Sequence, residues 1–121
     1  MSDLDRDAVF DLLASRRRRQ MLAHLDADGP ATLRELAKTL TAAEEGEPVA
    51  DLPDDEIRRV YISLYQYHLP NLEDLGVVTV DDDGDLWLTD RADLPLAYLR
   101  FSPDEADEPP ATARGLVGGD D

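Results

Sequence analysis

Cysteine is absent from this 121-residue chain, which excludes disulfides, thiolate metal ligands and a cysteine nucleophile. Lysine is almost absent, with Lys38 standing alone beside eleven arginines. No apolar run approaches the ~20 residues of a membrane-crossing helix. The N-terminus is charged from Asp3 onward, so no signal peptide is expected. A glycine-rich phosphate loop, a His-x-x-x-His pair and a Ser, His and Asp grouping are missing too, so neither enzyme activity nor a cofactor is expected. These absences point to a cytoplasmic protein with one hydrophobic core, the most that this length supports.

What is abundant is acid. The chain holds 28 Asp and Glu against 12 Lys and Arg, a net charge of -16, which on its face disfavours a polyanionic partner. The distribution is uneven. Residues 1–41 carry seven acids and seven bases, four of the latter in the run Arg16, Arg17, Arg18 and Arg19, so the whole excess lies in residues 42–121. The Asp-rich, Lys-poor balance resembles the proteomes of halophilic archaea, where multimolar salt shortens the Debye length to roughly 3 Å and screens self-repulsion. The alternative is an acidic partner-binding protein of an ordinary cytosol.

Hydrophobic periodicity then divides the chain. Leu4, Ala8, Val9, Leu12 and Leu13, followed by Met21, Leu22 and Leu25, predict one helix or two abutting ones over residues 5–26, ended by Asp28-Gly29-Pro30. Thr32 with Glu35 forms a Thr-x-x-Glu capping box opening a second helix that buries Leu33, Leu36, Ala37 and Leu40. Residues 42–53 read as a solvated loop, with an extra half turn of the second helix as the alternative at its start. Asp54 is expected to cap a third helix over residues 54–75, with Ile57, Val60, Tyr61, Leu64, His68, Leu72 and Leu75 at spacings of three and four. Pro70 predicts a kink near Leu69 or a fresh turn there. Two short strands, Val77 to Val80 and Leu86 to Leu88, flank an Asp-Gly turn and predict a hairpin. Leu94, Leu96, Leu99 and Phe101 are expected to cover the core, and residues 102–121 to form a disordered acidic tail. The fold class is thus mainly α with a small hairpin. The order helix, helix, helix, hairpin is that of a winged helix-turn-helix, a three-helix core plus a two-stranded wing over residues 5–101.

Three strings carry a further resemblance: Phe10 to Leu22, Thr32 to Ala37, and Tyr67-His68-Leu69-Pro70-Asn71-Leu72-Glu73-Asp74-Leu75-Gly76-Val77-Val78. They resemble an archaeal winged-helix family that halophilic archaea encode in many copies as predicted transcriptional regulators. The last string is also similar to the end of the recognition helix in the arsenic-repressor superfamily. The resemblance implies DNA binding, but not metal sensing, since the cysteine ligands common in those relatives are absent.

On that reading Arg58, Arg59, Ser63, Gln66 and Tyr67 of the third helix face the major groove of double-stranded DNA, arginine suiting guanine and Gln66 adenine. Arg16, Arg17, Arg18 and Arg19 are candidates for phosphate, some of them pairing instead with acids such as Asp11 or Glu35. Arg34 completes the basic set. A homodimer would place two third helices in successive major grooves. Against this stands the hairpin tip, Asp81, Asp82, Asp83 and Asp85, which phosphate repels. The competing reading is a protein-interaction or dimerisation module lined by Tyr61, Ile62, Tyr65 and Tyr67. His24 and His68 are expected in capping or core roles. The acidic turn does not match a calcium loop, because Thr79 and Asp90 occupy its first and twelfth positions.

Overall fold

A computed structural model describes residues 4–101; the tail expected over residues 102–121 lies outside them. The chain is mainly helical with a small three-stranded antiparallel sheet.

The first helical period splits in two. Helix α1 spans Arg6–Leu13, with Asp5 Oδ1 accepting from the Ala8 amide at 2.8 Å, and α2 spans Arg16–Asp28. Ser15 causes the break: its backbone is extended and its hydroxyl accepts the Arg18 amide as the cap of α2. Gly29 closes α2 at φ 89°, a conformation that disfavours any residue with a Cβ. The two-residue strand β1, Ala31–Thr32, leads into α3, Leu33–Glu45, through the complete Thr32–Glu35 capping box.

A loop with one 3₁₀ turn at Val49–Asp51 reaches α4, Asp54–Ser63. Here the sequence expectation needs two corrections. Asp54 is the first residue of α4 rather than its cap; Pro53 precedes it and no side chain caps the helix, so Asp54, Asp55 and Glu56 serve its N-terminus through their charge. The expected third helix is also not continuous. It comprises α4, a wide π-turn over Leu64–His68 and helix α5, Leu69–Asp74. Pro70 has no amide to give the Gln66 carbonyl and its ring crowds that oxygen, and the wider turn relieves the conflict.

Strands β2, Val78–Val80, and β3, Asp85–Leu88, pair antiparallel, with Thr79 opposite Trp87. The sheet is larger than the two-stranded hairpin expected, because β1 pairs with the free edge of β3, Ala31 opposite Leu86, giving the order β1-β3-β2. A 3₁₀ turn at Asp90–Ala92 then enters α6, Asp93–Phe101. Leu96 of α6 is buried as expected, but Leu94 is 41% exposed and does not cover the core.

One core joins these elements. Leu12 and Met21 of α1 and α2, Leu36 and Leu40 of α3, Leu64, Leu72 and Leu86 are essentially inaccessible and pack in one cluster. Each such leucine contributes about 2–5 kcal/mol against truncation to alanine. Burial of Leu64, at the junction of α4 and the π-turn, fixes which side of that segment faces outward.

Candidate functional site

The arginine run is used largely to hold the molecule together. Arg18 Nε donates to the Leu12 carbonyl and Nη2 to the Asp11 carbonyl, each at 2.9 Å, while Arg19 Nη1 donates to the Leu13 carbonyl at 2.6 Å. These are end carbonyls of α1, where the helical ladder runs out and only the Asp11 carbonyl also accepts a backbone amide, that of Ala14 at 3.2 Å, so two arginines of α2 act as its C-terminal cap. Arg17 makes a bidentate pair with Glu44 of α3, at 2.7 and 2.8 Å. That pair raises the Arg17 pKa and holds the Glu44 carboxyl below its ordinary value. The acid partner within the run is therefore Glu44, while Asp11 contributes its carbonyl and Glu35 is engaged with Thr32. Arg16 remains exposed at the start of α2.

His68, on the π-turn, is half-buried and accepts from Arg18 Nη1 through Nδ1 at 3.3 Å. Burial, and then the charges of Arg18 and Arg17, hold its pKa below the ordinary value, with Glu44 opposing them. His24 pairs with Asp28 at 3.2 Å. Its side chain lines a shallow cleft of about 370 Å³ with Glu35, Lys38, Thr39 and Val49.

The other basic candidates meet on the outward side of α4. Arg58 is exposed, Arg59 is exposed but paired with Glu56 at 2.8 Å, and Gln66 and Tyr67 are exposed on the π-turn, whereas Ser63 is half-buried. Arg34, in the first turn of α3, lies over the ring of Tyr61 at 5.9 Å, a cation–π distance. Tyr61 in turn stacks on Tyr65, the ring centres 6.3 Å apart and the planes 5° from parallel. The start of α3 and the outward side of α4 thus form one surface.

Two further members of this surface, Ile62 and Tyr65, stand outside the residues expected from the sequence to face DNA. Ile62 is 43% and Tyr65 61% exposed, and both were assigned only to a protein interface. The signal for Ile62 lay in its spacing, four residues from Arg58 and four from Gln66.

The hairpin tip is ordered by its own acids. Asp81 accepts from the Asp83 and Asp85 amides and, through Oδ2, from the Trp87 indole at 2.8 Å. The indole bond foremost holds the Asp81 carboxyl below the ordinary range. Desolvation and then the carboxylates of Asp81, Glu35 and Asp83 push Asp85 up. Among the described residues no group of three His, Asp or Glu side chains is placed to hold a metal ion, and no helix is long and apolar enough to cross a membrane.

The model of a domain of unknown function, DUF7344, matches residues 10–87. The chain belongs to the DUF7344 family. The DUF7344 match runs from within α1 to within β3, so it takes in the arginine cap, the surface of α3 and α4, and the hairpin turn, and leaves α6 outside. No curated protein and no solved structure matches the chain.

Proposed function

We propose that this chain is a winged helix-turn-helix protein that binds double-stranded DNA as a transcriptional regulator in a salt-rich cytoplasm, without enzymatic activity. Helices α3 and α4 are its helix-turn-helix, α4 enters the major groove, and β2 with β3 is the wing. Two copies bind together, one per half-site. The observation that carries this reading is the seating of Arg34 on Tyr61, which sets the start of α3 beside the side of α4 that carries Arg58 and Tyr65, with Arg59 and Gln66 exposed further round the helix. Arginine and glutamine are the side chains that pair in the plane of guanine and adenine edges. The wing tip, with Asp82 and Asp83 exposed, stays clear of the phosphates.

Fluorescence anisotropy of labelled genomic fragments, including the region upstream of the protein's own gene, tests this in ~2 M potassium chloride, where non-specific charge attraction is screened. Saturable binding to particular fragments, lost in Arg58→Ala, supports it. A second reading draws on the exposure of Ile62, Tyr65 and Tyr67 at 43, 61 and 68%, an aromatic composition that suits a protein interface. Failure of the folded protein to bind any fragment, with burial of Tyr65 against another protein, favours that second reading.

A further inference from the structure

The outward line of α4 carries an apolar side chain between two polar ones. Ile62 is 43% exposed, with Arg58 one turn before it and Gln66 one turn after, both exposed. In a regular α-helix, at about 3.6 residues per turn, each step of four residues drifts around the axis. The π-turn over Leu64–His68 winds more loosely and brings Gln66 back toward the line through Ile62. Neighbouring apolar groups are otherwise occupied: Ile57 and Tyr61 pack against the core, and Tyr65 stacks on Tyr61. Ile62 belongs neither to the core cluster nor to the partly buried hydrophobics packed against it.

We infer that Ile62 is a specificity-determining residue that contacts the 5-methyl group of a thymine in the major groove, between a guanine read by Arg58 and an adenine read by Gln66. The inference rests on the DNA-binding reading above. The thymine methyl is the one apolar group on the major-groove edge of a standard base pair, and a branched aliphatic side chain is its natural complement. The flanking groups match the neighbouring edges, arginine with the two acceptors of guanine and a carboxamide with the donor and acceptor of adenine. Asp55, exposed one turn before Arg58, is an acceptor suited to the cytosine amino group. The line therefore presents base-reading chemistry along its length, and its carboxylate is usable there.

The test replaces one methyl group at a time. A duplex is first selected from random sequence by the full-length protein, and each thymine is then exchanged for deoxyuridine, which keeps every hydrogen-bonding group. At one position the exchange is expected to weaken the wild-type protein about threefold to fivefold, the worth of one buried methyl. Ile62→Ala should bind the thymine and deoxyuridine duplexes equally, and Ile62→Val should restore part of the preference. Because Ile62 is exposed, circular dichroism and the melting temperature of both variants should match the wild type. Binding indifferent to every thymine methyl, or a preference that persists in Ile62→Ala, overturns the inference and leaves DNA binding intact. Absence of saturable binding to any duplex overturns the DNA-binding reading, and this inference with it.

Discussion

Arg18 Nη1 donates to His68 Nδ1 across 3.3 Å while the same guanidinium holds the carbonyls of Leu12 and Asp11. One side chain thereby ties the end of α1 to the π-turn that follows α4. The bond requires a lone pair on Nδ1, so it exists only with a neutral imidazole.

That requirement gives the folded protein a pH dependence. The His68 pKa is lowered in the fold by burial and by Arg18 and Arg17, with Glu44 of α3 opposing. The unfolded chain therefore binds more protons just below the ordinary value of about 6.5, and stability rises with pH there. The contribution is complete above that value and is lost as pH falls through the window down to the depressed folded pKa. Urea unfolding midpoints measured from pH 8 to pH 5 should decline in the wild type and decline less in His68→Gln. Equal slopes would show that His68 does not carry the effect.

The Arg17 and Glu44 pair couples α2 to α3. Its side chains are 32 and 23% exposed, so solvent screens part of the attraction, and a coupling of about 1 kcal/mol is expected from its bidentate geometry. A double-mutant cycle with Arg17→Ala and Glu44→Ala measures it. The cycle should shrink as pH falls below the ordinary glutamate value, since Glu44 must be charged to contribute.

Thr32 both ends β1, opposite Asp85 of β3, and caps α3. Thr32→Ala removes the acceptor for the Glu35 amide, which lies 3.1 Å from Oγ1, and should cost about 1 kcal/mol by chemical denaturation. Thr32→Ser keeps the hydroxyl and should cost less.

Gly76 follows α5 at φ 77°, and a Cβ there would stand 3.0 Å from Cδ of Arg91. Gly76→Ala should lower stability by about 1 kcal/mol or more through the left-handed backbone alone. Gly84→Ala, at φ 87° with open space around it, isolates the backbone contribution for comparison.

If the chain binds DNA as proposed, the salt dependence of binding should be shallow. Arg17, Arg18 and Arg19 are engaged within the fold and the exposed Arg59 is paired with Glu56, which leaves Arg16, Arg34 and Arg58 as the other exposed cations of the candidate set. The slope of log affinity against log salt should then be about -3 per protomer or shallower, at roughly 0.9 per phosphate contact. A slope of about -6, that of all seven arginines of the candidate set at roughly 0.9 per contact, would mean that the arginine cap opens on binding.

Much of the local architecture was legible because its causes are local. The Thr32 to Glu35 box, the glycine stop at Gly29 and the hairpin turn depend on residues within a few positions of one another. The pairings of the arginine run and of β1 depend instead on contacts across the chain. Nothing in the arginine run says that Arg17 will meet Glu44, 27 positions away, or that Arg18 will meet His68, 50 positions away. Leu94 looked like a core residue by composition, and only the packing of α6 on Leu96 turned it outward.

The sequence by itself determined the first helical periods, the Thr32 cap and the Gly29 stop, the hairpin and the acidic balance, because propensity, capping and charge are properties of short stretches. The tertiary structure alone decided that three of four clustered arginines are structural, that β1 joins the sheet, and that a π-turn rather than a simple kink absorbs Pro70. The physical reason is that a guanidinium takes whichever acceptor the fold brings within reach, and an edge strand pairs with whichever extended segment lies beside it. Those neighbours exist only once the core has formed.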